Sequence, residues 1–242
     1  GAIQAVCMVI VGWVLKFVPY AVFGLLASIS ARVGLSTLMA TAVYLATVLL
    51  GLLLLMLVYI LVIAVIGRTG PRQFLAASKE VMLLALSTSS SAAVMPLTLK
   101  VTEQKLAVRS GISRFVIPLG TTINMAGTAL YQGVATLFLA QVFAVDIGIS
   151  GMILVVVMAT GASIGTPGTP GVGIVILATI LESVGIPAAG IALIMGVDRI
   201  LDMCRTSVNV VGDMAASIVL NRLIPESKQD SKQLENAIKV EG

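Results

Sequence analysis

Residues 197–213 read Val-Asp-Arg-Ile-Leu-Asp-Met-Cys-Arg-Thr-Ser-Val-Asn-Val-Val-Gly-Asp. On a helix, Asp198, Asp202, Arg205, Asn209 and Asp213 follow one another at steps of four, three, four and four. They form one stripe, with Thr206 beside it. Arg205 offers a planar fork suited to a carboxylate. Asp202, one turn earlier, suits an ammonium. Three carboxylates against Arg199 and Arg205 leave net negative charge, which attracts cations in a low-dielectric site. A zwitterion with an extra carboxylate matches this donor set. Asp213 and Asn209 are hard oxygen donors that, with carbonyls freed at broken helices, suit Na⁺. The bland alternative is a structural ion-pair network in which Asp202 bonds Arg205 one turn away.

The stripe needs a setting, and composition supplies it. The chain has 242 residues, 58% hydrophobic and 11% charged, with mean hydropathy +1.10. Soluble domains carry about 25% charged residues, so the class is a polytopic all-α membrane protein. Each Asp or Arg at mid-membrane costs about 2.5–3.5 kcal/mol on insertion scales, so the stripe must face protein, water or ligand. His is absent, which removes His-based zinc sites, Ser-His-Asp triads and Cys-His dyads. Cys7 and Cys204 are far apart in apolar sequence and suggest neither a disulfide framework nor a CxxC site. The net charge of +4 fits cytoplasmic loops better than nucleic acid.

A spanning helix needs about 20 apolar residues. Residues 2–30 and 36–67 qualify. The later apolar segments are interrupted. Residues 73–101 break at Ser87-Thr88-Ser89-Ser90-Ser91. Residues 112–145 break at Gly120-Thr121-Thr122 and again at Asn124-Met125-Ala126-Gly127-Thr128. Residues 147–184 break between Gly165 and Gly173. Arg68, Arg72 and Lys79 precede the serine-rich break; Lys100, Lys105, Arg109 and Arg114 follow it. Basic loops lie inside, so this segment reads as a re-entrant hairpin entered from the cytoplasm. No Lys or Arg lies between Arg114 and Arg199, so the Gly/Pro-broken segment reads as a hairpin from the other face. Two such hairpins of opposite orientation suggest an inverted repeat and point to a secondary-transporter site. The competing reading is two kinked helices.

Four motifs run in order along the chain. They are the serine-rich tip 88–96, Asn124-Met125-x-Gly127-Thr128, the Gly/Pro tip 163–173, and Asp202-Met203-Cys204-Arg205-Thr206 running on to Asn209 and Asp213. Together they resemble the dicarboxylate/amino acid:cation symporter family, which includes excitatory amino acid transporters and bacterial glutamate–aspartate transporters. The resemblance implies a homotrimer in the cell membrane, with a fixed scaffold and a transport domain that moves like an elevator. Residues 1–35 would be a scaffold-type transmembrane helix. Residues 36–223 would be the transport domain: helix 36–67, inner re-entrant hairpin 72–108, broken helix 112–146, outer re-entrant hairpin 147–185 and charged helix 188–223. Residues 224–242 would be a cytoplasmic tail. The family's N-terminal helices are missing, so the sequence reads as the C-terminal part of a longer chain.

The same resemblance implies site roles. Arg205 would bind the side-chain carboxylate of glutamate or aspartate, and Asp202 its amino group. Thr128, Thr206 and Asn209 would add polar contacts. Backbone at Ser90 and Ser91, and at Gly168 and Thr169, would close over the substrate. One Na⁺ site would use carbonyls of Gly120, Asn124 and Asn209 with the Asp213 carboxylate. A second would use carbonyls of Thr122, Ser163, Ile164 and Thr166, with Met125 between ions and substrate. Ala126 stands where the family often has Asp, which removes a carboxylate from a third Na⁺ site. Ala92 replaces a Ser, and Ser89 stands where some members have Arg; Arg199 is a candidate substitute for that charge.

The implied function is Na⁺-coupled symport of an acidic amino acid, not an enzyme. Proton coupling, a C4-dicarboxylate substrate and a truncated, non-transporting fragment are the alternatives. An intramembrane aspartyl protease fails because Val210 breaks the GxGD motif at Asp213.

Overall fold

We describe the protein from a computed structural model, for residues 35–165 and 168–225 and a few separate positions between 13 and 24. Most of the expected first span 1–35, the tail from residue 226 and the expected ligand Thr166 lie outside the described residues. Every regular element among the described residues is helical.

The first element described over its whole length, α1 (Leu35–Val65), contains a 27-residue apolar run, Met39–Val65, whose most apolar 18-residue stretch has mean hydropathy 3.2, long enough to cross a bilayer. It buries one edge, Tyr44, Val48, Leu52 and Ile63, at near-helical spacing. Leu50, Leu53, Leu57 and Leu61 on its other side are more than half exposed.

The serine-rich segment forms α2 (Pro71–Thr88) and α3 (Ser91–Gln104). Pro71 occupies the first helical turn, where a missing N–H costs nothing. The break is narrower than the five residues the sequence suggests. Ser87 and Thr88 stay helical because their hydroxyls donate back to the Leu84 carbonyl, at 2.9 and 2.8 Å. Only Ser89 and Ser90 turn. Ser89 takes a left-handed conformation (φ 49°), and Ser90 caps α3 by accepting from the Ala93 N–H.

The next break is also narrower than expected. Here α4 (Ser110–Ile123) continues through Gly120-Thr121-Thr122, with Thr121 donating to the Ile117 carbonyl at 2.9 Å. Only Asn124 and Met125 leave the helix before α5 (Ala126–Val142) begins. The Gly/Pro segment is broken as expected but ends sooner, with Val172 and Gly173 already helical: α6 (Gly148–Ser163) and α7 (Val172–Ser183) flank a tip in which Gly165 and Gly171 both have φ 82°. That backbone is open to glycine and strained for other residues. At 1.5 Å per residue, the 16-residue α6 and the 12-residue α7 are too short to cross a core about 30 Å thick.

A 3₁₀ turn (Ala188–Gly190) leads into α8 (Ile191–Leu223), the axis of the molecule. One apolar cluster joins Tyr44, Leu52, Tyr131 and Leu177 to Ile194 and Leu201 of α8. A second joins Phe74, Val81 and Val101 to Val211, Met214 and Ile218 of the same helix. The charged stripe lies along the stretch of α8 that these clusters hold.

Candidate functional site

The stripe faces inward. Asp198, Asp202, Arg205, Thr206, Asn209 and Asp213 are all buried. Arg205 donates to Asp202 Oδ1 from Nη2 at 2.7 Å and from Nε at 3.2 Å. Arg199 pairs with the other oxygen, Nη1 to Oδ2 at 3.6 Å. One residue outside the expected set, Tyr131, completes this end. The Tyr131 hydroxyl donates to Asp198 Oδ1 at 2.6 Å, and its ring lies 4.6 Å from the Arg205 guanidinium carbon. An ion-pair network is therefore present, but it is incomplete: Nη1 of Arg205 is buried without a hydrogen-bond partner. Leaving a buried charged donor open costs free energy, so the opening points to a ligand.

The three helix breaks converge on this stripe. Ser90 Oγ donates to the Gly168 carbonyl at 2.8 Å, and the Ala92 N–H reaches the same oxygen at 3.4 Å. The tips between α2 and α3 and between α6 and α7 thus touch, 78 residues apart in sequence. The Gly165 N–H donates to the Thr122 carbonyl at 2.7 Å, which ties the second tip to the end of α4. Asn209 spans the gap to α5: its Oδ1 accepts from the Gly127 N–H at 2.8 Å and its Nδ2 donates to Thr128 Oγ1 at 3.1 Å. Close approach is tightest at two glycines. A Cβ on Gly120 would fall on the Asp213 carboxylate, and one on Gly173 would fall on the Arg205 guanidinium.

A cavity of about 20 Å³ lies where these parts meet. Of the nine residues expected to hold substrate, eight line it: Ser91, Thr128, Gly168, Thr169, Asp202, Arg205, Thr206 and Asn209. Ser90 instead spends its hydroxyl on the contact between tips. Ser89, Met125, Val172 and Gly173 complete the lining. The space is about that of one water molecule. Tyr131, Val172 and Gly173 were not singled out from the sequence. An aromatic at helical spacing reads as core, and one glycine in a glycine-rich tip reads like the next.

Residues expected to hold cations fall into two groups. Asn124 Nδ2 donates to Asp213 Oδ1 at 2.9 Å, and Gly120 lies against that carboxylate, with Asn209 one turn before it on α8. In the other group, Thr122 is reached by Gly165, and Ser163 Oγ donates to the Ala159 carbonyl at 2.5 Å. Ile164 adjoins Ser163 with its side chain exposed. Among the described residues no cluster of three His, Cys, Asp or Glu is poised for a metal. One carboxylate among amide and carbonyl oxygens suits a hard, singly charged ion rather than a transition metal.

A polar site buried among broken helices, in an apolar chain whose described elements are all helical, is the build of a secondary transporter. The chain belongs to the sodium:dicarboxylate symporter family, whose model matches residues 1–223. It is 41% identical over 198 residues to excitatory amino acid transporter 3 of Bos taurus, covering 81% of this chain and 37% of that protein. It is 40% identical over 199 residues to excitatory amino acid transporter 1 of Rattus norvegicus, covering 81% and 37%. It is 38% identical over 213 residues to the proton/sodium-glutamate symport protein of Bacillus subtilis, covering 88% and 49%. The chain thus spans half or less of the length of these relatives. The family is one of sodium-coupled membrane transporters, as the four motifs imply.

Proposed function

We propose that this chain carries the substrate and ion sites of a Na⁺-coupled symporter for an acidic amino acid. The observation that carries the reading is the open Nη1 of Arg205 beside a cavity ringed by backbone and hydroxyl groups from three helix breaks. One substrate carboxylate pairs with Arg205, the ammonium with Asp202, and the second carboxylate takes the backbone N–H groups of the tips. Thr128, Thr206 and Asn209 fix its orientation. Na⁺ travels as cargo, one ion held by Asp213 with oxygens of Gly120, Asn124 and Asn209. A second is held by carbonyls of Thr122, Ser163, Ile164 and Thr166.

The two short helix pairs act as re-entrant hairpins of opposite orientation. A cavity of about 20 Å³ is too small for an amino acid, so the tips must part for loading. The α6–α7 tip is the natural gate, since its glycine-rich backbone can change shape cheaply. Residues 36–223 form a transport domain that moves as a unit against a scaffold in a homotrimer, exposing the site alternately to each side of a cell membrane.

The test is uptake of labelled L-aspartate by reconstituted protein under a Na⁺ gradient. Uptake that needs inward Na⁺ is the expected result. Uptake that ignores Na⁺ and follows a pH gradient overturns Na⁺ coupling, and no uptake of acidic substrates overturns the reading.

A further inference from the structure

Asp202 is shared between two cations. Its Oδ1 takes Nη2 and Nε of Arg205, and its Oδ2 faces Nη1 of Arg199 at 3.6 Å. The two guanidiniums are not equivalent. The Arg205 side chain is 4% accessible and lines the cavity, whereas that of Arg199 is 19% accessible and stands at the rim of the buried stripe. Nη1 of Arg205 has no hydrogen-bond partner, so a substrate carboxylate that pairs there need not displace Asp202. A substrate ammonium has no such opening. It needs Oδ2 of Asp202, the oxygen that Arg199 already faces.

On the acidic-substrate reading above, we propose that Arg199 is a specificity-determining residue: it neutralises the outer oxygen of Asp202, so that the site accepts C4-dicarboxylates lacking an ammonium alongside acidic amino acids. Without Arg199, a bound dicarboxylate would confront a buried carboxylate paired on one side only, and the repulsion would exclude it. With Arg199, the charges of Asp198, Asp202, Arg199 and Arg205 cancel, and the dianion meets no net negative charge. The 3.6 Å separation is an ion pair without a short hydrogen bond, so an ammonium competes for Oδ2 and amino acids remain substrates.

The experiment is inhibition of Na⁺-driven labelled L-aspartate uptake by succinate and by unlabelled aspartate, in proteoliposomes, for wild type, Arg199→Gln and Arg199→Lys. In the wild type, succinate should inhibit at concentrations within about tenfold of aspartate. In Arg199→Gln, succinate should weaken by about tenfold or more relative to aspartate, as expected for losing one partly screened charge near the ligand. Arg199→Lys should restore the wild-type ratio. A purely structural role would weaken both inhibitors together and leave the ratio unchanged, and either form of unchanged ratio overturns the proposal. Wild type that takes aspartate but resists succinate overturns it alone; wild type that takes neither overturns the acidic-substrate reading with it.

Discussion

The Arg205 guanidinium is held by Asp202 below and by the Tyr131 ring at 4.6 Å, and Tyr131 is itself fixed by its 2.6 Å bond to Asp198. Each partner restricts the guanidinium before a ligand arrives, which lowers the ordering cost of binding. Arg205→Cys should therefore lose acidic-substrate binding by tenfold or more, about the loss of one charge-assisted hydrogen-bonded pair. Titration of L-aspartate checks this, with a thermal melt to show that the variant is folded. Asp213 sits at the far end of the same stripe, bonded to Asn124. Asp213→Asn should shift the Na⁺ dependence of aspartate binding to higher Na⁺ while leaving the order of preference among substrates unchanged. A Na⁺ titration in the variant reads both. The sequence made this stripe legible because buried charge in an apolar helix has few explanations. It hid Tyr131, since nothing in an aromatic's helical spacing distinguishes a ring that supports an arginine from one that fills a core.

Helix breaks are the second scale. The sequence located all three, yet none keeps its expected bounds in the structure. Serine and threonine disfavour helix interiors when their side chains compete for the backbone, but Ser87, Thr88, Thr121 and Thr122 direct their hydroxyls to carbonyls three or four residues back. The Gly/Pro break is present too, but it closes earlier than expected, because Val172 and Gly173 already belong to α7. Propensity marks where a helix is weak; the partners a tip finds across the molecule decide where it opens. Gly168 illustrates this, since its carbonyl is used by Ser90 and Ala92 at the α2–α3 break. Gly173 provides a test at this scale. It lies in the first turn of α7, where an added methyl would collide with the Arg205 guanidinium. Gly173→Ala should push that guanidinium aside and weaken aspartate by about tenfold, as for an open or displaced charged donor. Helix content should not change, because Ala is the better helix former. Circular dichroism alongside the binding titration separates the two effects.

At the scale of the whole molecule, α8 belongs to both apolar clusters and carries the charged stripe along its buried face. No other described element contributes to the substrate cavity and the Asp213 group alike through its own side-chain charges. Among the described residues, the α6–α7 tip is tied to the α2–α3 tip by the bonds of Ser90 and Ala92 to Gly168, and to the end of α4 by that of Gly165 to Thr122. On the proposed reading, cation and substrate sites would share a helix and a gate, and that would be a physical route to coupling. An ion seated between Thr122 and the tip would hold the tip down over a bound substrate, so each ligand would favour the closed state that the other also needs. The linkage must be reciprocal. Na⁺ should tighten aspartate, and aspartate should tighten Na⁺ by the same factor. Each ligand should also raise the melting temperature more in the presence of the other, with stabilisation of about 2.7 kcal/mol at a ligand concentration 100 times its Kd. Melting curves over a grid of Na⁺ and aspartate concentrations measure the coupling from both directions. Independent shifts that merely add would mean that the two sites do not share the gate, and alternating access would then need another source of coupling.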